Sequence, residues 1–195
     1  LPANFAVPPY EPQFIRLIQE RFPLAYPMRG ASPDDWRRYR HAYFRLVEKA
    51  DREIGRILAC VRRLGLDRNT VLVFTSDHGD GHGAHQWNQK SILYEECVRV
   101  PLLVSYPGMA PAGATDDHLV SSGLDILPTL CDLAGLPSPP AVTGRSLRPL
   151  MEPSETSSED PSWRDELVVE TWPFQGDPGR RSLARMVRTS RYKYA

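Results

Sequence analysis

The residues able to do chemistry crowd into one stretch, "TVLVFTSDHGDGHGAHQWNQK", from Thr70 to Lys90. Asp77 is a hard oxygen donor of the kind that holds Ca²⁺ or Mg²⁺. His78 beside it offers nitrogen to a metal or a hydrogen bond to an anion. His85 and Lys90 add two donors suited to an anionic oxygen. Gly79, Gly81 and Gly83 let the backbone turn sharply and approach a ligand closely. Taken singly, His82, His85 or Lys90 reads more simply as an exposed loop residue. Taken together, directly after an apolar run, the set reads as a site, with His82 its weakest member.

Those side chains need elements to hold them. "TVLVFTSD" is apolar without alternation, which predicts a short strand buried on both faces. Asp77 and His78 then fall at its C-terminal end, where open α/β sheets bind ligands. "VRVPLLVSYP" predicts a second such strand. A Gly/His/Asn loop and a helix near Lys90–Glu96 lie between them, and strand, helix, strand implies neighbouring strands in a mostly parallel sheet. Upstream, Ser32, Pro33, Asp34 and Asp35 spell a helix start. Apolar residues at steps of three and four from Trp36 to Leu64 predict one long helix covering a face of that sheet, with Gly65 as its stop. Residues 1–31 are Pro-rich and read as extended, with one helical turn around Phe14–Ile18.

Downstream, "SSGLDILPTLCDLAG" predicts a helix ended by Gly135, with Pro128 near its first turn. Asp125 and Thr129 read there as helix-start hydrogen bonding. Glu95, Glu96 and Arg99 read as solvated or paired with one another. Arg145 and the Arg180–Arg181 pair read as surface residues. "MEPSETSSEDPS" is acidic, Ser-rich and solvated. "ELVVET" and "SLARMVRTSRYKYA" read as strands, the latter a hairpin around Thr189-Ser190-Arg191.

Composition sets bounds. The length, 195 residues, suits one domain with a real core. Lys and Arg number 24, as do Asp and Glu, and this neutral balance argues against a nucleic-acid footprint or a polybasic membrane patch. No apolar run approaches the ~20 residues of a membrane span. Cys60, Cys97 and Cys131 are odd in number and show no CxxC or Cys/His pattern. They read as thiols in apolar surroundings, outside any disulfide framework or zinc site.

Several segments together resemble the sulfatase family of the alkaline-phosphatase-like superfamily. They are "TVLVFTSDHG", His85, the Trp87-to-Lys90 spacing and "LYEECVRVPLLV". "YRHAYFRLVEKADREIGRILACVRRLGL" is similar to the long helix before that family's metal strand, and "SSGLDILPTLCDLAGLPSPPAVTGRSLRPLM" to the segment after its second strand. "MVRTSRYKYA" looks like the start of its C-terminal subdomain. The resemblance implies an α/β fold, mostly parallel and flanked by helices, with residues 1–151 as part of a catalytic domain. Residues 152–195 would be a linker and the start of a small antiparallel subdomain.

For the site, the resemblance implies that Asp77 and His78 bind a divalent metal, usually calcium in the family, with magnesium as the alternative. Lys90 would hold the sulfate and stabilise charge in the transition state, and His85 would line the same pocket. The ligand would be a small sulfate ester or a sulfated glycan. The family's nucleophile is a formylglycine made within a C/S-x-P-x-R motif, and no Cys or Ser here fits it: Cys97 begins "CVRVP", Cys60 "CVRRL" and Cys131 "CDLAG". An upstream Asp pair and a His-x-Pro segment are also absent. Both ends are therefore expected to be truncated, and the 195 residues alone are expected to be inactive. A phosphonate or phosphate ester hydrolase of the same superfamily, or a binding protein that keeps the fold without catalysis, remains an alternative.

Overall fold

A computed structural model describes residues 1–152, 163–172 and 184–195. The acidic linker and the Arg180–Arg181 pair lie outside the described residues. The N-terminal segment carries more helix than a single turn. Helix α1 spans Gln13–Arg21 and buries Ile15 and Ile18. These two meet Tyr26, Trp87, Ile92 and Cys97 in one apolar cluster, so α1 packs directly on the chemistry-bearing loop.

Helix α2 spans Pro33–Arg63 and starts as its sequence dictates. The Asp35 N–H donates to Ser32 Oγ, and the Ser32 N–H donates to Asp35 Oδ2, each at 3.2 Å. This reciprocal capping box satisfies two otherwise orphaned donors. Gly65 follows at φ +67°, a left-handed value that glycine adopts without strain. The expected cover over a sheet face is not seen. Trp36 alone is buried on α2, while Ile57 is 62% exposed. The apolar periodicity runs the length of the helix, but its aromatic contacts to other segments come from its first turns, Trp36 to Phe44.

Strand β1, Leu72–Thr75, pairs with β2, Leu102–Ser105. The two are neighbours as expected, but they run antiparallel, with Leu72 opposite Ser105 and Thr75 opposite Leu102. A parallel return needs a crossover of a dozen or more residues, usually helical. The helix expected near Lys90–Glu96 is only α3, Glu95–Val98, a single turn. The chain thus re-enters at the end of β1 that it left, and residues 76–101 form one long loop at that end. Nor are the strands buried on both faces, since Phe74 and Leu103 are exposed.

Helix α4, Ser122–Leu133, contains Pro128 well inside rather than at its first turn. Pro128 cannot donate to the Leu124 carbonyl. Gly144 passes so close to that carbonyl that an added Cβ would lie 1.8 Å from its oxygen. A short helix α5, Arg148–Met151, follows. Strands β3 (Glu166–Thr171), β4 (Ala184–Thr189) and β5 (Lys193–Tyr194) form an antiparallel sheet in that order, the small C-terminal sheet expected from the sequence. The architecture is α/β with helices beside small antiparallel sheets.

Among the described residues, polar contacts bind the C-terminal sheet to the loop region. Lys193 and Arg188 reach Glu95 at 3.4 and 3.5 Å, and Thr171 Oγ1 donates to the Ser91 carbonyl at 3.2 Å. Glu96 accepts from Asn4 Nδ2 at 2.7 Å. The two glutamates therefore serve opposite neighbours, which departs from the solvated or mutual pairing expected of them. None of the three cysteines is in a disulfide, and Cys97 is buried. No described helix is long and apolar enough to cross a membrane.

Candidate active site

The loop after β1 is held by its own backbone and by one carboxylate. The Gly79 N–H donates to the Cys97 carbonyl and the Gly81 N–H to the Gln89 carbonyl, both at 2.9 Å. Glycine is required at both positions. A Cβ on Gly79 would lie 1.9 Å from the Glu96 carbonyl oxygen, and one on Gly81 would strike Trp87. Between them, Asp80 accepts from the His82 N–H at 2.7 Å, the Gln89 N–H at 3.0 Å and the Tyr39 hydroxyl at 3.1 Å. Burial, then the Asp80 charge, pushes the Tyr39 hydroxyl well above its ordinary value, so it stays a donor. Asp80 carries little signal in the sequence. Its only local signal is a carboxylate set between two glycines.

Five non-glycine residues of this loop have φ between +48° and +77°: His82, His85, Gln86, Gln89 and Ser91. Left-handed backbone is costly for such residues and survives where surroundings over-determine it. Those surroundings are visible. Trp87 is buried against Tyr26 with ring centroids 4.7 Å apart. Trp87 Nε1 and the Tyr26 hydroxyl both donate to the Lys90 carbonyl, at 3.2 and 3.3 Å. Asn88 Nδ2 donates to the Ala25 carbonyl at 3.2 Å. The backbone beneath Lys90 is thereby fixed before any ligand arrives.

Asp77, His78 and Lys90 meet at the open end of the β1–β2 pair. His78 Nε2 lies 3.4 Å from Asp77 Oδ2 and 2.7 Å from the Lys90 ammonium. His78 Nδ1 is 2.9 Å from the Gly79 carbonyl oxygen. A proton on Nδ1 donates to that carbonyl and leaves the Nε2 lone pair facing Lys90 and Asp77. The Asp77 carboxylate is 84% exposed. Slight desolvation by its neighbours works to raise its pKa, but His78, the His78 backbone N–H and Lys90 outweigh this and hold the carboxyl below its usual range. The result is an ionised oxygen donor beside an imidazole nitrogen, with an ammonium within reach of the same space.

His85 stands apart from that trio. Its Nδ1 is 3.2 Å from the Ala6 carbonyl oxygen, its Nε2 is 3.5 Å from Asn4 Nδ2, and its ring lies against Tyr94 at 4.5 Å. His82 turns away towards α2, between the rings of Tyr43 and Phe44, with its carbonyl accepting from Arg40 Nη1. Burial, then Arg40, lowers its pKa and keeps it neutral. It is a packing residue.

Among the described residues, no group of three or more His, Cys, Asp and Glu side chains could hold a metal ion. Asp77 and His78 fit one flank of a divalent site, as one hard oxygen and one nitrogen aimed at common space. A calcium cage needs about six to eight donors. The remaining donors are not among these residues.

Comparison with known proteins bears on the family. The sulfatase family model matches residues 8–136. A model described as N-sulphoglucosamine sulphohydrolase, C-terminal, matches residues 83–195. An N-acetylglucosamine-6-O-sulfatase of Bacteroides thetaiotaomicron is 32% identical over 190 residues, which is 90% of this chain and 33% of that protein. A crystal structure of a putative sulfatase from Bacteroides thetaiotaomicron superposes with a TM-score of 0.83 at 30% identity, covering all of this chain and 41% of that one. A structure solved in complex with its substrate D-glucosamine-2-N,6-O-disulfate gives 0.65 at 35% identity, over 75% of this chain and 29% of that one. A phosphonate monoester hydrolase of Agrobacterium radiobacter gives 0.66 at 29% identity, over 76% and 31%. The chain spans about a third of the length of the first of these relatives. The chain belongs to the sulfatase family.

Proposed function

We propose that these residues form the cation- and anion-holding side of a sulfate ester hydrolase whose substrates are sulfated sugars or other small sulfate esters. The observation that carries this reading is the meeting of the Lys90 ammonium, His78 Nε2 and the Asp77 carboxylate within 3.4 Å contacts on a pre-set loop. Asp77 and His78 would hold a divalent metal, calcium as the family resemblance implies, with magnesium as the alternative. When bound, the ion supplies positive charge that polarises the ester. Lys90 donates to a non-bridging sulfate oxygen and stabilises negative charge as the ester bond lengthens. Its fixed carbonyl means that little reorganisation accompanies that step. His78 keeps its Nδ1 proton on the Gly79 carbonyl, and Nε2, which faces Lys90 in this structure, would turn to the cation once Lys90 engages the sulfate. His85 lines the substrate side of the loop.

No Cys or Ser of the sequence lies in a C/S-x-P-x-R motif, so these residues do not supply a formylglycine and no nucleophilic step is assigned to them. Residues 1–151 belong to the catalytic domain and 152–195 to a linker and C-terminal subdomain. Hydrolysis of phosphonate monoesters is the second reading, favoured by the likeness to the Agrobacterium enzyme, because a cation and an ammonium serve either tetrahedral anion. Steady-state kinetics on the natural full-length protein separate the two. Higher kcat/KM on 4-nitrophenyl sulfate than on a phenyl phosphonate ester, lost on chelation and restored by Ca²⁺, is expected. A reversed preference overturns the sulfatase reading, and an enzyme indifferent to chelators overturns the metal assignment.

A further inference from the structure

The structure assigns a second anion-binding subsite beside His85, built from Arg16 and Arg29, for an additional carboxylate or sulfate carried by the substrate. The inference rests on the sulfatase reading and extends it from reaction to substrate class. A cavity of about 280 Å³ opens where α1 and the turn after it face the active-site loop. Arg16, Gln19, Arg29, His85 and Gln86 line it, with one carboxylate, Glu11. That volume is near the lower end of ligand pockets, ~300 Å³. It suits one anionic substituent with part of its sugar ring rather than a long chain.

Two guanidiniums and two amides line the space with one carboxylate, Glu11, while the partner of Arg29, Glu20, lies outside the lining. Glu11 engages Arg16 through Nε at 3.2 Å. Bidentate recognition of a planar carboxylate or a sulfate can use the outer Nη edge instead. Arg29 is braced by Glu20 at 2.6 Å and by the Arg16 carbonyl at 3.4 Å, which orders it before binding. Gln19 Nε2 donates to the Gln86 carbonyl at 3.4 Å and ties α1 to the loop. Ile15 and Ile18 are buried against that loop, so Arg16 and Gln19, three apart, share the flank beside it.

Placement couples this cavity to catalysis. His85 and Gln86 precede Lys90 by five and four positions in one loop. The Tyr26 and Asn88 hydrogen bonds clamp the segment bearing Arg29 to that same loop. On this proposal a substrate whose scissile sulfate meets Lys90 presents its second anionic group to Arg16 and Arg29.

The test uses the natural full-length enzyme and four substrates. Glucosamine 2-N,6-O-disulfate and an unsaturated hexuronate 2-O-sulfate carry a second anionic group, one a sulfate and one a carboxylate. N-acetylglucosamine 6-O-sulfate and 4-nitrophenyl sulfate carry one. The readout is the ratio of kcat/KM for the better doubly anionic substrate to that for the better singly anionic one. Wild type is expected to favour the doubly anionic substrate. Arg16→Gln and Arg29→Gln are each expected to reduce the ratio by about ten- to a hundred-fold, the range for losing a hydrogen bond to a charged group. Arg56→Gln, an exposed charge on α2 outside the cavity, is expected to leave it unchanged. A wild type with no such preference overturns the subsite, as do cavity variants that keep the ratio or an Arg56 variant that lowers it equally. Hydrolysis of none of the four sulfates overturns the sulfatase reading itself, and the subsite with it.

Discussion

Two aspartates in this chain face opposite circumstances. Asp125, at the start of α4, has a fully buried side chain and accepts from every side. Its partners are the Ser121 N–H at 2.7 Å, the Arg145 N–H at 2.9 Å, and both terminal nitrogens of Arg164 at 2.6 and 2.7 Å. Thr129 extends the node by accepting from the Leu147 N–H at 2.8 Å and donating to the Asp125 carbonyl. Asp77 is open to solvent, with the His78 N–H at 3.0 Å and the Ser76 hydroxyl at 3.5 Å both on Oδ1 and its other oxygen beside His78. A carboxylate whose lone pairs are all spent within the fold is a rivet between segments. One held ionised but unsaturated keeps lone pairs for a ligand, the role proposed for Asp77.

The largest expected effects separate these two roles. Asp77→Ala should abolish turnover of the full-length enzyme and weaken Ca²⁺ binding, read by calorimetry, while its melting temperature stays at the wild-type value. Normal activity in that variant would erase the distinction. Asp125→Ala should do the reverse. It leaves Arg164, 11% exposed, without its partner carboxylate. Breaking such a buried pair costs about 3–5 kcal/mol, measurable by denaturant unfolding.

Acid sharpens the comparison. Burial works to raise the Asp125 carboxyl, but the Arg164 hydrogen bonds, the Arg145 and Ser121 backbone N–H groups and the Arg164 charge outweigh it, so its native pKa is lowered. A lowered native pKa means the unfolded chain binds the proton more readily. The stabilisation is then whole above the ordinary aspartate value of ~4 and fades as pH falls from there through the native value. Wild type should lose stability across that window, and Asp125→Asn should show a flatter acid limb.

How much of this was legible in the sequence depends on how locally each feature is determined. The α2 start was readable because Ser32 to Asp35 carry their own partners within four residues. Asp77, His78 and Lys90 were readable as a group because the glycines between them allow a return. The antiparallel pairing was not, because strand direction turns on whether residues 76–101 form a long crossover helix, and the loop's contacts with Tyr26, Tyr39 and Ala25 win instead. Asp80 was missed because its three donors come from residues 39, 82 and 89. Asp125 was placed at a helix start, which is correct for its bond to Ser121. Its main partner, Arg164, is 39 positions away and carries no local signal.

A smaller effect concerns Lys90. Its ammonium contributes one pre-set cation to the anion site, so Lys90→Ala should lower kcat on 4-nitrophenyl sulfate by roughly 10²–10³-fold, as for deletion of one oxyanion donor. Folding should survive, because the Trp87 and Tyr26 bonds go to the Lys90 backbone carbonyl rather than to its side chain. A variant that raised KM alone would assign Lys90 to ground-state binding.

The smallest effect is expected at Cys97, and it tests whether chemistry and packing have been told apart within one loop. Cys97 is the most buried of the three thiols and belongs to the core cluster with Trp87 and Ile92. Burial, then the Asp80 and Glu96 charges, pushes its pKa up to about 12. At neutral pH it is a thiol, and thiolate is the reactive form. Its Sγ donates to the Gln89 carbonyl at 3.5 Å, and its backbone carbonyl accepts from Gly79, so its role is to hold the loop. "CVRVP" also places Arg before Pro, the reverse of the maturation motif. Cys97→Ala should therefore keep kcat within about two-fold and cost about 1 kcal/mol of stability, typical for a small core truncation. Loss of turnover with the melting temperature retained would move the nucleophile into this loop and undo the division between Asp77 as ligand and its buried neighbours as frame.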